Sequence, residues 1–397
     1  MLDVPSPRSA VVRHLTVAQG LSVAGSTVDL TLTGIVGARI APTPALATVP
    51  YSLVFLVAGL CTFGVSRAIG RLGHRRVFVA APIAAAVSGC VSAAGVQLQQ
   101  FWLFCVGTAL IGVYQAGSGY YRYLAAESMP RERARAVSSV LAGGLVAALV
   151  GPFLATALGG LTSTPFVGSY LLVAVLGAAA SAWNTRLVEP LAGGRVAVAV
   201  AVAPPRARRE LWQQPGLIAG TAAALLAAGT MMAMMTAGPI LGLATGRTPV
   251  EAAFGVQLHM IGMYAPGLVV ARAMARVGER VVAIGGCVLV LAAGLTAATA
   301  TSLAAYLAAM LLIGVGWNLG YGAGSAMITA HHRPAERGRV QPIAEALIIA
   351  AQVLASAFAV AFTSVTGWHA LGWCCLAAAA VVAVVVLRAR PGLIRAV

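Results

Sequence analysis

The sequence predicts an all-α integral membrane protein: twelve transmembrane helices arranged as two pseudo-symmetric six-helix bundles. Three observations predict it. The chain is 60% hydrophobic and 9% charged, where soluble domains carry about 25% charged residues. Its apolar stretches recur at the roughly twenty-residue length that a spanning helix needs. And its basic residues, all 26 of them arginine, fall almost wholly on one side of those stretches. That asymmetry places both termini in the cytoplasm. The formal charge of +16 is therefore an orientation signal, and no nucleic-acid partner is expected. Met1 to His14 is polar and the apolar stretch after it outruns a signal sequence, so no cleavable leader is expected.

The spans are read as 15–40, 45–68, 77–97, 101–126, 136–159, 165–186, 215–241, 250–273, 281–299, 302–328, 340–364 and 367–388. The first carries Asp29 at mid-membrane, where a charge costs about 2.5–3.5 kcal/mol on insertion scales. Asp29 is either a proton-coupling acid or a neutral, hydrogen-bonded aspartate near Ser26 and Thr27. The fourth span holds Gln115 at mid-membrane and Arg122 near its cytoplasmic end. The fifth has the Gly143-Gly144 pair, which suits close helix packing. A linker, 191–214, follows the first bundle (1–190) and leads to the second (215–397). Its Val196–Val202 run is too short to span. Asn318 in the tenth span occupies the place that Gln115 has in the fourth. The two either line a cavity or bond helix to helix. Glu345, in the eleventh span, lies at the depth of Arg122, so the two are a candidate cytoplasmic gate; the alternative is a pair of separate snorkelling charges. Six cysteines lie in apolar runs without CxxC spacing and read as packing residues. No nucleophile with a partnered base is visible, so the chain is not expected to be an enzyme, and no prosthetic group is implied.

An internal repeat supports the two bundles. Arg67-Ala68-Ile69-Gly70-Arg71-Leu72-Gly73-His74-Arg75 returns as Arg272-Ala273-Met274-Ala275-Arg276-Val277-Gly278-Glu279-Arg280, identical at five of nine positions. Pro130-Arg131-Glu132-Arg133-Ala134-Arg135 returns as Pro334-Ala335-Glu336-Arg337-Gly338-Arg339, identical at four of six. Both copies keep the same orientation, as parallel repeats do. The Gly73-His74-Arg75-Arg76 ending resembles the signature loop between the second and third helices of the major facilitator superfamily, with Gly70 where that signature usually has aspartate. The resemblance implies a transporter.

Two strings stand out on the seventh and eighth spans. Met231-Met232-Ala233-Met234-Met235 and His259-Met260-Ile261-Gly262-Met263 hold six of the chain's 11 methionines. Met231 and Met235, like His259 and Met263, are four residues apart and share a helix face. Thioether and imidazole suit copper, while methionine alone is also a common packing residue. Counting from the outer ends puts Met231 and His259 at the same depth, about 14 Å in, with Met235 shallower and Met263 deeper. The pattern M-x-x-x-M then H-x-x-x-M resembles the CcoA-type copper importers of that superfamily. The resemblance implies copper uptake supporting a cbb-type cytochrome oxidase, with Met231, Met235, His259 and Met263 as ligands and a cytoplasmic copper chaperone as a partner. The stretch Tyr121 to Glu127, with Leu141-Ala142-Gly143-Gly144 and Gly151-Pro152, resembles a wider family that also holds riboflavin importers. An organic solute such as riboflavin is thus the alternative cargo, and a non-transporting copper sensor is a third reading.

Overall fold

In the computed structural model, residues 7–43, 46, 49–188, 205–244, 246–299 and 301–389 are described. Their helices are α1 (Pro7–Ile40), α2 (Val49–Leu72), α3 (His74–Gln97), α4 (Phe101–Ser118), α5 (Tyr121–Ser128), α6 (Arg133–Ala142), α7 (Leu145–Gly159), α8 (Val167–Asn184), α9 (Arg208–Leu211), α10 (Pro215–Ala244), α11 (Pro249–Tyr264), α12 (Gly267–Val277), α13 (Glu279–Thr299), α14 (Leu303–Ala330) and α15 (Arg337–Arg388). Among the described residues, ten helical runs are long and apolar enough to cross a membrane, and the bent pair α11–α12 makes eleven. The 34-residue α1 covers the first predicted span. α15 holds the last two, which meet where Gly367 turns the backbone at φ 81°. The Val196–Val202 run and most of the linker lie outside the described residues.

Three predicted spans are broken. The fourth parts into α4 and α5 at Gly119-Tyr120, the fifth into α6 and α7 at Gly143-Gly144, and the eighth bends by 48° between α11 and α12. Glycine weakens a helix interior by about 1 kcal/mol relative to alanine. Pro266, at the third break, has no N–H to give the preceding turn.

The chain divides into two units: residues 1–129 with 143–201, and residues 130–142 with 202–397. The sequence put 130–142 in the first bundle. Instead α6 packs on α12 and α14 in the second unit, and the change of unit falls at the Gly143-Gly144 break. Arg133 Nε donates to Glu279 Oε1 at 2.9 Å there.

In the first unit, α3 lies between α4 and α8, and α1 packs on α7 and α8. Phe78 and Tyr121 meet edge to face at 4.7 Å. Asn184, fully buried, donates its amide to the Phe78 carbonyl at 2.7 Å and to the Tyr121 hydroxyl at 3.1 Å. In the second unit, α10 packs on α14 and α15, α13 packs on the same two helices, and α11 lies against α14.

The repeat survives as geometry. Gly73 and Gly278, equivalent by the repeat, join α2 to α3 and α12 to α13 with φ 85° and 87°. That backbone region is left to glycine, because a Cβ would strain it. The second repeated motif has diverged. Glu132 makes an exposed pair with Arg135 at 2.9 Å. Its counterpart Glu336, in a 3₁₀ turn (Pro334–Glu336), is fully buried and takes both arms of Arg206, Nε at 2.8 Å and Nη2 at 2.7 Å. The Arg206 backbone N–H also donates to Glu336 Oε1, and Arg339 Nη1 donates to the Arg206 carbonyl. The hydrogen bonds that the Arg206 side chain donates to Glu336 raise its pKa. The end of the linker is thereby tied to the α14–α15 connection.

This tie gives a prediction. Glu336→Ala should speed trypsin cleavage after Arg206, Arg208 or Arg209 by about tenfold. A charge-assisted hydrogen bond contributes about 1.5–3 kcal/mol, and proteolysis follows local opening. Glu132→Ala should leave the rate unchanged. Equal rates for wild type and Glu336→Ala, read by mass spectrometry of the fragments, would contradict the tie.

Candidate functional site

The candidate site grows from the seam between α11 and α14. A Cβ on Gly314 would lie 2.3 Å from the His259 carbonyl oxygen, and one on Gly262 would lie 2.7 Å from the Leu311 carbonyl oxygen. Backbones approach this closely only where side chains are missing. The seam presses His259 onto α14. Its ring is fully buried, and Nδ1 lies 3.2 Å from the Met310 carbonyl oxygen. A carbonyl can only accept, so Nδ1 carries the proton. Nε2 is then a bare acceptor, buried and without a hydrogen-bond partner among the described residues. One turn further in, Asn318 donates its amide to the Met263 carbonyl at 2.6 Å. Asn318 is 1% exposed and takes the helix-to-helix role of the two that its sequence position left open.

α14 also fixes the register of α10. A Cβ on Gly238 would meet the Met310 sulfur at 3.2 Å, and one on Gly320 would meet the Ala227 Cβ at 3.0 Å. Gly238 and His259 therefore share the Met310 level. Met235 lies three residues inward of Gly238, about 4.5 Å away, and Met231 a further turn in. Met263, four residues past His259, is about 6 Å inward, so Met235 comes close to the level of Met263 and Met231 lies deeper, about 10 Å inward of His259. The sequence paired Met231 with His259 in depth; the structure shifts that register by nearly two turns. The reason is that distances were counted from loop ends, whereas the helices are aligned by their contacts. Met231 and Met263 are buried, and Met235 is half-buried. Among the described residues no three of His, Cys, Asp and Glu gather as a metal cluster.

An aromatic group on the same seam was not anticipated from the sequence. Trp317 stacks on Tyr321 with centroids 4.8 Å apart and planes 15° from parallel. Tyr264 meets the Trp317 ring edge at 6.1 Å. Trp317 is 6% exposed, and its Nε1–H has no hydrogen-bond partner among the described residues. The four-residue spacing of Trp317 and Tyr321 was the available signal.

The remaining expected residues lie on other helices. Asp29, in the first unit, is fully buried, and neither carboxylate oxygen has a hydrogen-bond partner among the described residues. Thr27 and Thr33, which could have served it, bond the backbone carbonyls of Val23 and Asp29 instead. Tyr170 reaches Thr33 at 3.4 Å. Gln115 is half-buried in α4 of the same unit. Arg122 is 3% exposed in α5, donating to the Gly119 carbonyl at 2.9 Å and the Tyr123 hydroxyl at 3.1 Å. It thereby braces the break between α4 and α5. Glu345, 4% exposed, is in α15 of the second unit.

Comparisons with known proteins bear on both fold and cargo. The family profile described as Major Facilitator Superfamily matches residues 15–317 and 221–395. The chain is 31% identical over 394 residues to the riboflavin transporter RfnT of Brucella anthropi, covering 98% of each protein. Among solved structures, the human organic anion transporter MFSD10 matches with TM-score 0.77 at 16% identity, over 96% of this chain and all of that one. The transporter FucP, in its outward conformation, matches with TM-score 0.76 at 11% identity, over 97% of this chain and all of that one. At such identities the two structures speak for the fold alone.

The tautomer of His259 is directly measurable. In selectively ¹⁵N-histidine-labelled protein with the other five histidines replaced, the His259 signals should show a protonated Nδ1 and an unprotonated Nε2. A proton on Nε2 alone would contradict the Met310 bond.

Proposed function

Because the chain belongs to the Major Facilitator Superfamily, we propose that it is a secondary-active transporter that brings a small organic solute of the riboflavin class into the cell. The observation that carries this reading is the full-length similarity to a protein named as a riboflavin transporter. The arginine distribution supports an inner-membrane location with both termini in the cytoplasm. Asp29 is the proposed coupling residue. A carboxyl buried without a partner is costly to hold charged, so it would exchange protons as the transporter cycles.

Copper is the second reading, and one observation favours it. A metal-binding histidine characteristically donates its other ring N–H to a carbonyl or carboxylate, as His259 does to Met310. Met231, Met235 and Met263 would supply soft thioether sulfur beside it. In that case a cytoplasmic copper chaperone would take the ion onward.

One uptake experiment separates them. Cells deficient in flavin uptake, with and without the gene, are given labelled riboflavin or radioactive copper. Riboflavin accumulation should rise several-fold with the gene while copper accumulation does not. Asp29→Asn, expressed at the same level, should lose most of the accumulation yet retain binding. Gene-dependent accumulation of copper without riboflavin would overturn the organic-solute reading. Full accumulation by Asp29→Asn across a pH series would overturn the coupling role.

A further inference from the structure

Two buried polar atoms on the α11–α14 seam face no protein partner, and they are complementary. His259 offers Nε2 as an acceptor and Trp317 offers Nε1–H as a donor; neither has a hydrogen-bond partner among the described residues. Buried polar groups are almost always satisfied, and each exception asks for a water, an ion or a ligand. The Met310 carbonyl that holds the His259 ring and Trp317 itself are seven residues apart on α14, about 10 Å along the helix.

The apolar surroundings suit a flat ligand. Trp317 and Tyr321 form a stacked pair, and Tyr264 braces the Trp317 edge. Aromatic faces prefer offset-stacked or edge-on aromatic neighbours. On α10, Ala224 and Ala228 pack with Ile348 and Tyr321. Met231 and Met235 continue that stripe at helical spacing. Thioether sulfur also packs favourably on aromatic rings and adapts to irregular shapes. Three of the four residues first singled out as metal ligands, Met231, Met235 and His259, can thus flank a ring instead.

Resting on the riboflavin-class reading, we infer that His259, Trp317, Tyr321 and Tyr264, with Met231 and Met235, form the subsite for the planar nitrogen heterocycle of the solute. The His259 Nε2 accepts from a ring N–H. The Trp317 Nε1–H donates to a ring nitrogen or carbonyl. The polyol tail of the solute is bound elsewhere. A ligand without a ring N–H, or without a flat face, is therefore rejected, because it leaves the histidine unpaired and the stack uncovered.

The test is equilibrium binding to the full chain in nanodiscs, with three probes: riboflavin, lumichrome (the bare ring system, without the polyol) and cuprous ion. Wild type should bind lumichrome within about tenfold of riboflavin. Trp317→Phe keeps the stack and removes only the N–H. His259→Leu removes the acceptor. Each should weaken both flavin probes by about tenfold, the loss expected when one neutral buried hydrogen bond is left unmade. Trp317→Phe should keep the wild-type melting temperature within a few degrees. If wild type binds riboflavin but neither variant weakens it, the subsite is wrong while the transport reading stands. If wild type binds riboflavin and not lumichrome, the ring is not held here and the subsite is equally wrong. If wild type binds neither flavin but binds cuprous ion in a His259-dependent, Trp317-independent way, the riboflavin-class reading fails and takes the subsite with it.

Discussion

The close approach of α11 to α14 is the constraint on which the second unit depends. Gly262 and Gly314 let two backbones come within the distance at which any Cβ would overlap a carbonyl. In a bilayer the lipid is as apolar as leucine, so helices gain little from hiding apolar surface from each other. Close packing and interhelical hydrogen bonds hold them instead. The seam uses both. The glycines bring the backbones together, and His259 and Asn318 then bond across at Met310 and Met263. Once the ring of His259 is held at Nδ1, its other nitrogen is left bare. The candidate site is a consequence of how the helices pack.

The two units show what a parallel repeat conserves and what it lets go. Gly73 and Gly278 keep one backbone conformation because no other residue can take it without strain. The motif containing Glu132 and Glu336 keeps its residues but not its job. Glu132 holds a solvent-exposed pair with Arg135, of small worth under screening. Glu336 is buried and receives the linker's Arg206. The exit of the linker is thus anchored to the second unit by the copy whose counterpart is idle at the surface.

The all-helical membrane fold was legible because hydropathy and length act over tens of residues. The breaks at Gly119, Gly143 and Pro266 were not, since an apolar window reads the same across a straight helix and a broken one. The placement of α6 in the second unit was hidden for the same reason. The Met/His pairs were found by spacing, but their relative depth was off by nearly two turns, because inter-helix register comes from contacts such as Gly238 against Met310. The bare nitrogens of His259 and Trp317 could not be foreseen, since an unpaired atom is defined by what surrounds it. The cargo was the least legible. Methionine and histidine at helical spacing serve a soft metal or a flat ring equally well.

The seam's role can be tested at a residue that touches no ligand. Gly314→Ala would place a methyl group 2.3 Å from the His259 carbonyl and 3.1 Å from the Met263 nitrogen, so α11 must move. Gly285→Ala meets only the tip of Leu319, at 3.5 Å, and serves as the control. Riboflavin affinity, measured by equilibrium binding on matched amounts of folded protein, should fall by roughly tenfold or more for Gly314→Ala, a loss of about 1.4 kcal/mol. It should be unchanged for Gly285→Ala. Wild-type affinity in Gly314→Ala would mean that the seam does not set the site.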